Sequence, residues 1–143
     1  MRIVGFFALL VIGALFACDG NNKTGTSEER VQGNDDNVKA EILFDTLVYD
    51  LGTITEGEQV IAWFDYTNSG NAPLVIKDIK AGCGCTVPEF SRLPLESGEK
   101  KTIKVVFNSR GKAGVQKIGI VVNSNAQVPT VELQLKGIVK RIY

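Results

Sequence analysis

From Lys39 to Tyr143 the chain alternates between apolar and polar positions in short runs. Val60, Ala62, Phe64 and Tyr66 fall on one parity. Ile103, Val105 and Phe107 do the same, with Thr102 and Lys104 between. Ile118, Ile120 and Val122 align, as do Val131, Leu133 and Leu135 against Glu132, Gln134 and Lys136. A period of two marks strands with one buried face. Turn clusters separate the runs at intervals of about ten residues. They are Thr53 to Glu58, Asn68 to Pro73, Pro94 to Lys100, Ser109 to Gly114 and Asn123 to Asn125. Ile42 and Phe44 share a parity that Leu47, Tyr49 and Leu51 do not, so a bulge or a change of sheet is expected near Asp45-Thr46. No window in this stretch has a helical period. The pattern predicts an all-β domain over 39–143: an immunoglobulin-like antiparallel β-sandwich of about seven strands. A small closed β-barrel is the alternative. The Cys…Trp…Cys signature of true immunoglobulin domains is absent.

The upstream residues have another texture. After Met1-Arg2 come uncharged, mostly apolar residues from Ile3 to Ala17. This run is shorter than the roughly 20 residues that span a bilayer, and it matches a secretory signal. Leu15-Phe16-Ala17-Cys18 resembles a bacterial lipobox, although Phe16 stands where a small residue is usual. That resemblance implies a signal peptide over 1–17 and lipid attachment, by diacylglyceryl and palmitate-type chains, at Cys18. The product is expected to be extracytoplasmic and held to the inner or outer membrane by its lipid. Asp19 to Val38 has five acids, two bases and no apolar periodicity. Residues 18–38 therefore read as the anchor and a flexible polar tether, with a reach of about 25 Å as a coil.

Composition narrows the chemistry. The chain has 143 residues and no histidine. Catalytic triads, HExxH zinc sites and Cys₂His₂ fingers all need an imidazole and are excluded. Lys and Arg total 16 against 16 Asp and Glu, so a nucleic-acid partner is not expected. The neutrality conceals a tether of net −3 and a 39–143 segment of net +2. No carboxylate pair stands out from ordinary surface charge, and the domain is expected to be non-enzymatic. Of the three cysteines, Cys18 goes to lipid and two remain for the domain.

Those two sit in Ala81-Gly82-Cys83-Gly84-Cys85-Thr86-Val87-Pro88. Three readings stay open. A Cys83–Cys85 disulfide would be exchangeable; a regular strand is expected to point the two side chains to opposite faces, so closure requires a sharp turn at Gly84. Two thiolates could instead hold copper(I). Or both are small, structural thiols in a tight corner. On the strand from Gln59, the outward parity carries Ile61 and Trp63. Trp63 is a candidate partner contact, unless the first strand or the tether covers it.

The residues also carry a family resemblance. Phe44-Asp45, Asp50 to Glu58, Phe64 to Ile76, Gly82 to Pro88, Pro94 to Glu99, Ile103 to Phe107 and Gly137 look like the DUF1573 domain. The match extends over nearly all of Ile42 to Val139. Gly82 stands where that family often has Ser. The resemblance implies an immunoglobulin-like sandwich in an extracytoplasmic bacterial protein and raises the importance of both thiols; it says nothing of whether they bridge, bind or pack. The expected role is a protein-binding or structural module of the cell envelope, its partner an envelope protein. The alternative is a thiol redox or copper(I)-binding protein acting through Cys83 and Cys85.

Overall fold

β-branched and aromatic residues at alternate positions favour extended backbone and leave each strand one face to bury. A computed structural model of the chain describes residues 37–141. The signal segment, Cys18 and the tether up to residue 36 lie outside the described residues, as do 142 and 143. The described residues form eight strands and no helix. They are β1 (Ile42–Phe44), β2 (Val48–Thr55), β3 (Gln59–Asn68), β4 (Ile76–Ala81), β5 (Thr86–Glu89), β6 (Lys100–Asn108), β7 (Gly114–Ser124) and β8 (Thr130–Lys140).

Two four-stranded sheets face each other. Sheet A has the order β1-β3-β6-β5, and sheet B the order β2-β8-β7-β4. Each sheet has two open edges, so the fold is an immunoglobulin-like sandwich and not a closed barrel. The two short strands, β1 and β5, raise the count above seven. All pairings are antiparallel except β2 with β8, which is parallel. The parity change near Asp45 is a change of sheet: β1 pairs with β3, and β2 pairs with β8.

The alternating residues fill the space between the sheets. Ala62, Phe64, Ile103, Val105 and Phe107 from sheet A are fully buried against Ile120, Leu133 and Leu135 from sheet B. Burying each large side chain stabilises the fold by about 1.5–3 kcal/mol. Tyr49 meets Phe64 edge to face across the interior, at 6.1 Å between ring centroids. Gly137 on β8 lets β2 approach closely. A Cβ there would stand 2.7 Å from the Leu51 Cβ and 2.9 Å from the Gly52 carbonyl, beside the β2 register shift between Asp50 and Thr53.

The two ends of the sandwich differ. At one end the chain arrives through Lys39–Glu41, held by the Asn68–Ala72 turn: Asn71 N–H donates to the Lys39 carbonyl, and Ser69 N–H to that of Glu41. The opposite end gathers the Glu56–Glu58 turn, the Ser109–Lys112 turn and the end of β8, with Ser109 N–H donating to the Glu58 carbonyl and Glu56 N–H to that of Lys140. β6 spans nearly this whole length, about 27 Å for eight steps of an extended strand.

Candidate functional site

Residues 82–85 carry the chain from the edge of sheet B, at β4, to the edge of sheet A, at β5. The ladders on both sides fix the crossing. Gly82 N–H donates to the Gly119 carbonyl of β7 at 2.8 Å, and Asn108 N–H of β6 donates to the Cys85 carbonyl at 2.9 Å. Between these anchors Thr86 N–H closes a turn on the Cys83 carbonyl at 3.3 Å. Within it the sulfurs of Cys83 and Cys85 are bonded to each other.

The turn is needed for a reason of distance, not of direction. Residues two apart share a face of a strand, but their Cα atoms stand about 6.6 Å apart, near the upper limit for a bridge. Here the separation contracts to 5.2 Å. Gly84 does not supply an unusual backbone angle: its φ lies outside the left-handed region. What it supplies is space, since a Cβ at this position would meet no atom within 4 Å.

The two sulfurs have unlike surroundings. Both side chains are half-buried against the core. The hydroxyl of Thr86 lies 3.3 Å from Cys83 Sγ and 3.8 Å from Cys85 Sγ. Thr86 is only 5% exposed, and its hydroxyl makes no other hydrogen bond among the described residues. Cys85 and Gly84 line a surface depression of about 510 Å³, with Gln59, Val87, Val106, Asn108, Arg110 and Lys112. Neither Arg110 nor Lys112 forms an ion pair among the described residues. Glu56, beside the Ser109–Lys112 turn, accepts the Gly111 N–H at 3.0 Å and faces Arg141 at 3.8 Å.

Closing so small a loop does little for stability. Chain-entropy arguments give about 1.6 kcal/mol for three residues, against about 4.7 for a loop of 100. Bridged sulfurs offer no thiolate to a soft metal, so copper(I) coordination would first require reduction. Among the described residues no cluster of three or more Cys, Asp or Glu side chains is placed to hold a metal ion.

The depression continues into an apolar patch on the outer face of sheet A. Register puts Ile61 beside Val106 and Val106 beside Val87, while Trp63 lies beside Lys104, which pairs with Glu89 at 3.1 Å. Trp63 is 51% exposed, Ile61 42% and Val87 56%. The register of β1 ends opposite Tyr66, three residues short of Trp63, and sequence reasoning missed Val87, Val106, Arg110 and Lys112. Val87 and Val106 could have been found only by knowing that β5 and β3 flank β6.

A larger depression, of about 580 Å³, lies on the outer face of sheet B between Asp50, Val115, Lys136 and Ile138. Gly52 N–H, donating at 2.8 Å, and then Lys136 hold the Asp50 carboxyl below its ordinary pKa. It holds no thiol and no aromatic side chain, and its one ion pair is exposed, so the bridge-side depression is the stronger candidate.

Solved structures resemble the fold at low identity. A protein of unknown function from Porphyromonas gingivalis matches with a TM-score of 0.64 and 15% identity, over 71% of this chain and 48% of that one. This chain thus spans about half of that protein's length. The ASH/PapD-like domain 7 of human CEP192 matches with a TM-score of 0.58 and 15% identity, over 75% of this chain and 89% of that domain. The secreted serine protease VesC of Vibrio cholerae matches at 0.50 and 14% identity, over 73% of this chain but 24% of that one. Such identities speak for the fold alone. No functionally curated protein matches the chain. The family model described as "Protein of unknown function (DUF1573)" covers residues 42–139, from β1 through all but the end of β8, and the chain belongs to that family.

Proposed function

We propose that this chain is an extracytoplasmic lipoprotein, anchored through Cys18, whose sandwich is a non-enzymatic docking module for another envelope protein. The observation that carries the docking reading is the Ile61, Trp63, Val87 and Val106 patch on sheet A. A half-exposed Trp among β-branched side chains, rimmed by Lys104, Glu89 and Asp65, has the make-up of an interface centre. Face docking suits this sandwich better than strand addition. The edges of sheet A are strands of three and four residues, and β5 contains Pro88, which has no N–H to offer. Both edges of sheet B carry register irregularities, between Asp50 and Thr53 and between Ile76 and Asp78. The lipobox-like Leu15-Phe16-Ala17-Cys18 supports the anchor.

Two experiments test the two halves. A photo-crosslinking residue at position 63, in native envelopes, is expected to capture a discrete partner; the same residue at position 115, on the opposite face, is not. Equal capture from both faces refutes the docking surface. Fatty-acid labelling is expected in the full chain and absent in Cys18→Ala; label that survives the substitution refutes the anchor.

A further inference from the structure

We infer that the Cys83–Cys85 bridge is an exchangeable electron acceptor for a partner protein's thiol pair, attacked at Cys85. This goes beyond docking and does not depend on the Trp63 patch. Four observations carry it. Cys85 borders the depression and Cys83 does not, so Cys85 is the half of the bridge nearer an incoming chain. Gly84 leaves the flank of the bridge open. Arg110 and Lys112, with no carboxylate ion-pair partner among the described residues, line the same depression and favour an approaching thiolate. The buried Thr86 hydroxyl has only the two sulfurs as hydrogen-bond partners among the described residues, and it stands closer to Cys83, the leaving sulfur. A disulfide sulfur is a weak acceptor and a thiolate a strong one, so this hydroxyl selectively stabilises the thiolate that departs on Cys83.

The step balances. A partner thiolate bonds to Cys85 Sγ. The Cys83–Cys85 bond breaks, and its electron pair leaves on Cys83 Sγ, which accepts the Thr86 hydrogen bond and then a proton from water. The partner's second thiol, deprotonated, attacks the partner's own sulfur in the mixed disulfide and releases Cys85, which is protonated in turn. The partner loses two electrons and two protons and becomes a disulfide; Cys83 and Cys85 become thiols.

The test uses the full chain with glutathione, an anionic thiol, and 2-mercaptoethanol, a neutral one. Alkylation followed by mass measurement reads the reduced fraction, and circular dichroism reads the fold. The bridge is expected to open with the sandwich intact, and the glutathione adduct to map to Cys85. Thr86→Val is expected to lower the rate constant for opening by glutathione by about tenfold, while Thr86→Ser stays within about twofold of the unsubstituted chain. Arg110→Gln with Lys112→Gln is expected to lower the ratio of glutathione to 2-mercaptoethanol rates by about threefold or more. An adduct on Cys83, a Thr86→Val constant within about twofold, or an unchanged rate ratio overturns the inference. So does a bridge that opens only when the sandwich unfolds.

Discussion

Asn68 ties three segments of the sandwich together, and its removal tests how much one buried amide contributes. The side chain is fully buried at the end of β3. Its Nδ2 donates to the carbonyls of Ala72 at 2.8 Å and Leu95 at 2.9 Å. Its Oδ1 accepts from Gly70 N–H at 3.0 Å and Glu41 N–H at 3.4 Å. Asn68→Ala removes all four bonds. The Leu95 carbonyl keeps Leu74 N–H as a partner, whereas the Gly70 N–H and the Ala72 carbonyl have no other partner among the described residues. Each orphaned group costs about 1–3 kcal/mol, and a lost but compensated bond about 1 kcal/mol. Taking low values, because these groups are partly solvated, the substitution costs about 3–4 kcal/mol. For a domain of this size that lowers Tm by about 15–25 °C. Urea unfolding followed by circular dichroism measures it. Asn68→Asp adds a sign test. A carboxylate has no donor for the two carbonyls, so burial raises its folded pKa above the unfolded value. Its native state is least impaired below about pH 4 and loses stability as pH rises through the raised pKa. A cost under about 1 kcal/mol for Asn68→Ala, or an Asn68→Asp variant insensitive to pH, refutes the account of Asn68 as a structural knot.

Replacing Cys83 and Cys85 together by Ser is expected to cost only about 1–2 kcal/mol in urea unfolding, because the loop they close is three residues long; a chain that no longer folds contradicts a local bridge. Gly137→Ala is expected to destabilise by about 2–3 kcal/mol, since its Cβ would meet the Leu51 Cβ and the Gly52 carbonyl, whereas Gly84→Ala, in open space, stays within about 0.5 kcal/mol. Similar Tm values for these two variants would contradict the close approach of β2 and β8. Asp50 has a lowered pKa, from the Gly52 N–H first and Lys136 second, so its contribution is present above the ordinary carboxylate pKa and lost as pH falls through the folded value. Asp50→Asn is therefore expected to flatten the acid limb of a Tm-against-pH curve below about pH 4, and an unaltered limb counts against the Gly52 and Lys136 interactions.

Much of this fold was legible from side-chain periodicity. Residues two apart share a face, so Ala62, Phe64 and Tyr66, or Ile103, Val105 and Phe107, could be assigned to the core with no knowledge of their neighbours. The parity change near Asp45-Thr46 marked a bulge or a change of sheet for the same reason, and the pairing of β1 and β2 in different sheets makes it the second. Turn chemistry set the boundaries, and the Asn68-Ser69-Gly70 cluster was rightly a turn. Its hold on Leu95 and Glu41 was not legible, because hydrogen bonds between segments 27 residues apart leave no local pattern.

The sequence by itself determined the inward parity of the long strands, made a sandwich the first choice over a closed barrel, and set Cys83 and Cys85 apart as the domain's own pair. It left open which strands are neighbours. The parallel pairing of β2 with β8, the short β1 and β5, and the row Ile61, Val106 and Val87 are decided by long-range contact alone. The cysteines show the division most plainly. Spacing allowed a bridge, a metal pair or two buried thiols, because three residues in isolation can take any of these geometries. Only the crossing between two sheets, pinned by Gly119 on one side and Asn108 on the other, contracts them to bonding distance, and only the folded chain sets a buried hydroxyl beside both sulfurs, nearer Cys83, and puts Cys85 on a depression shared with Arg110 and Lys112.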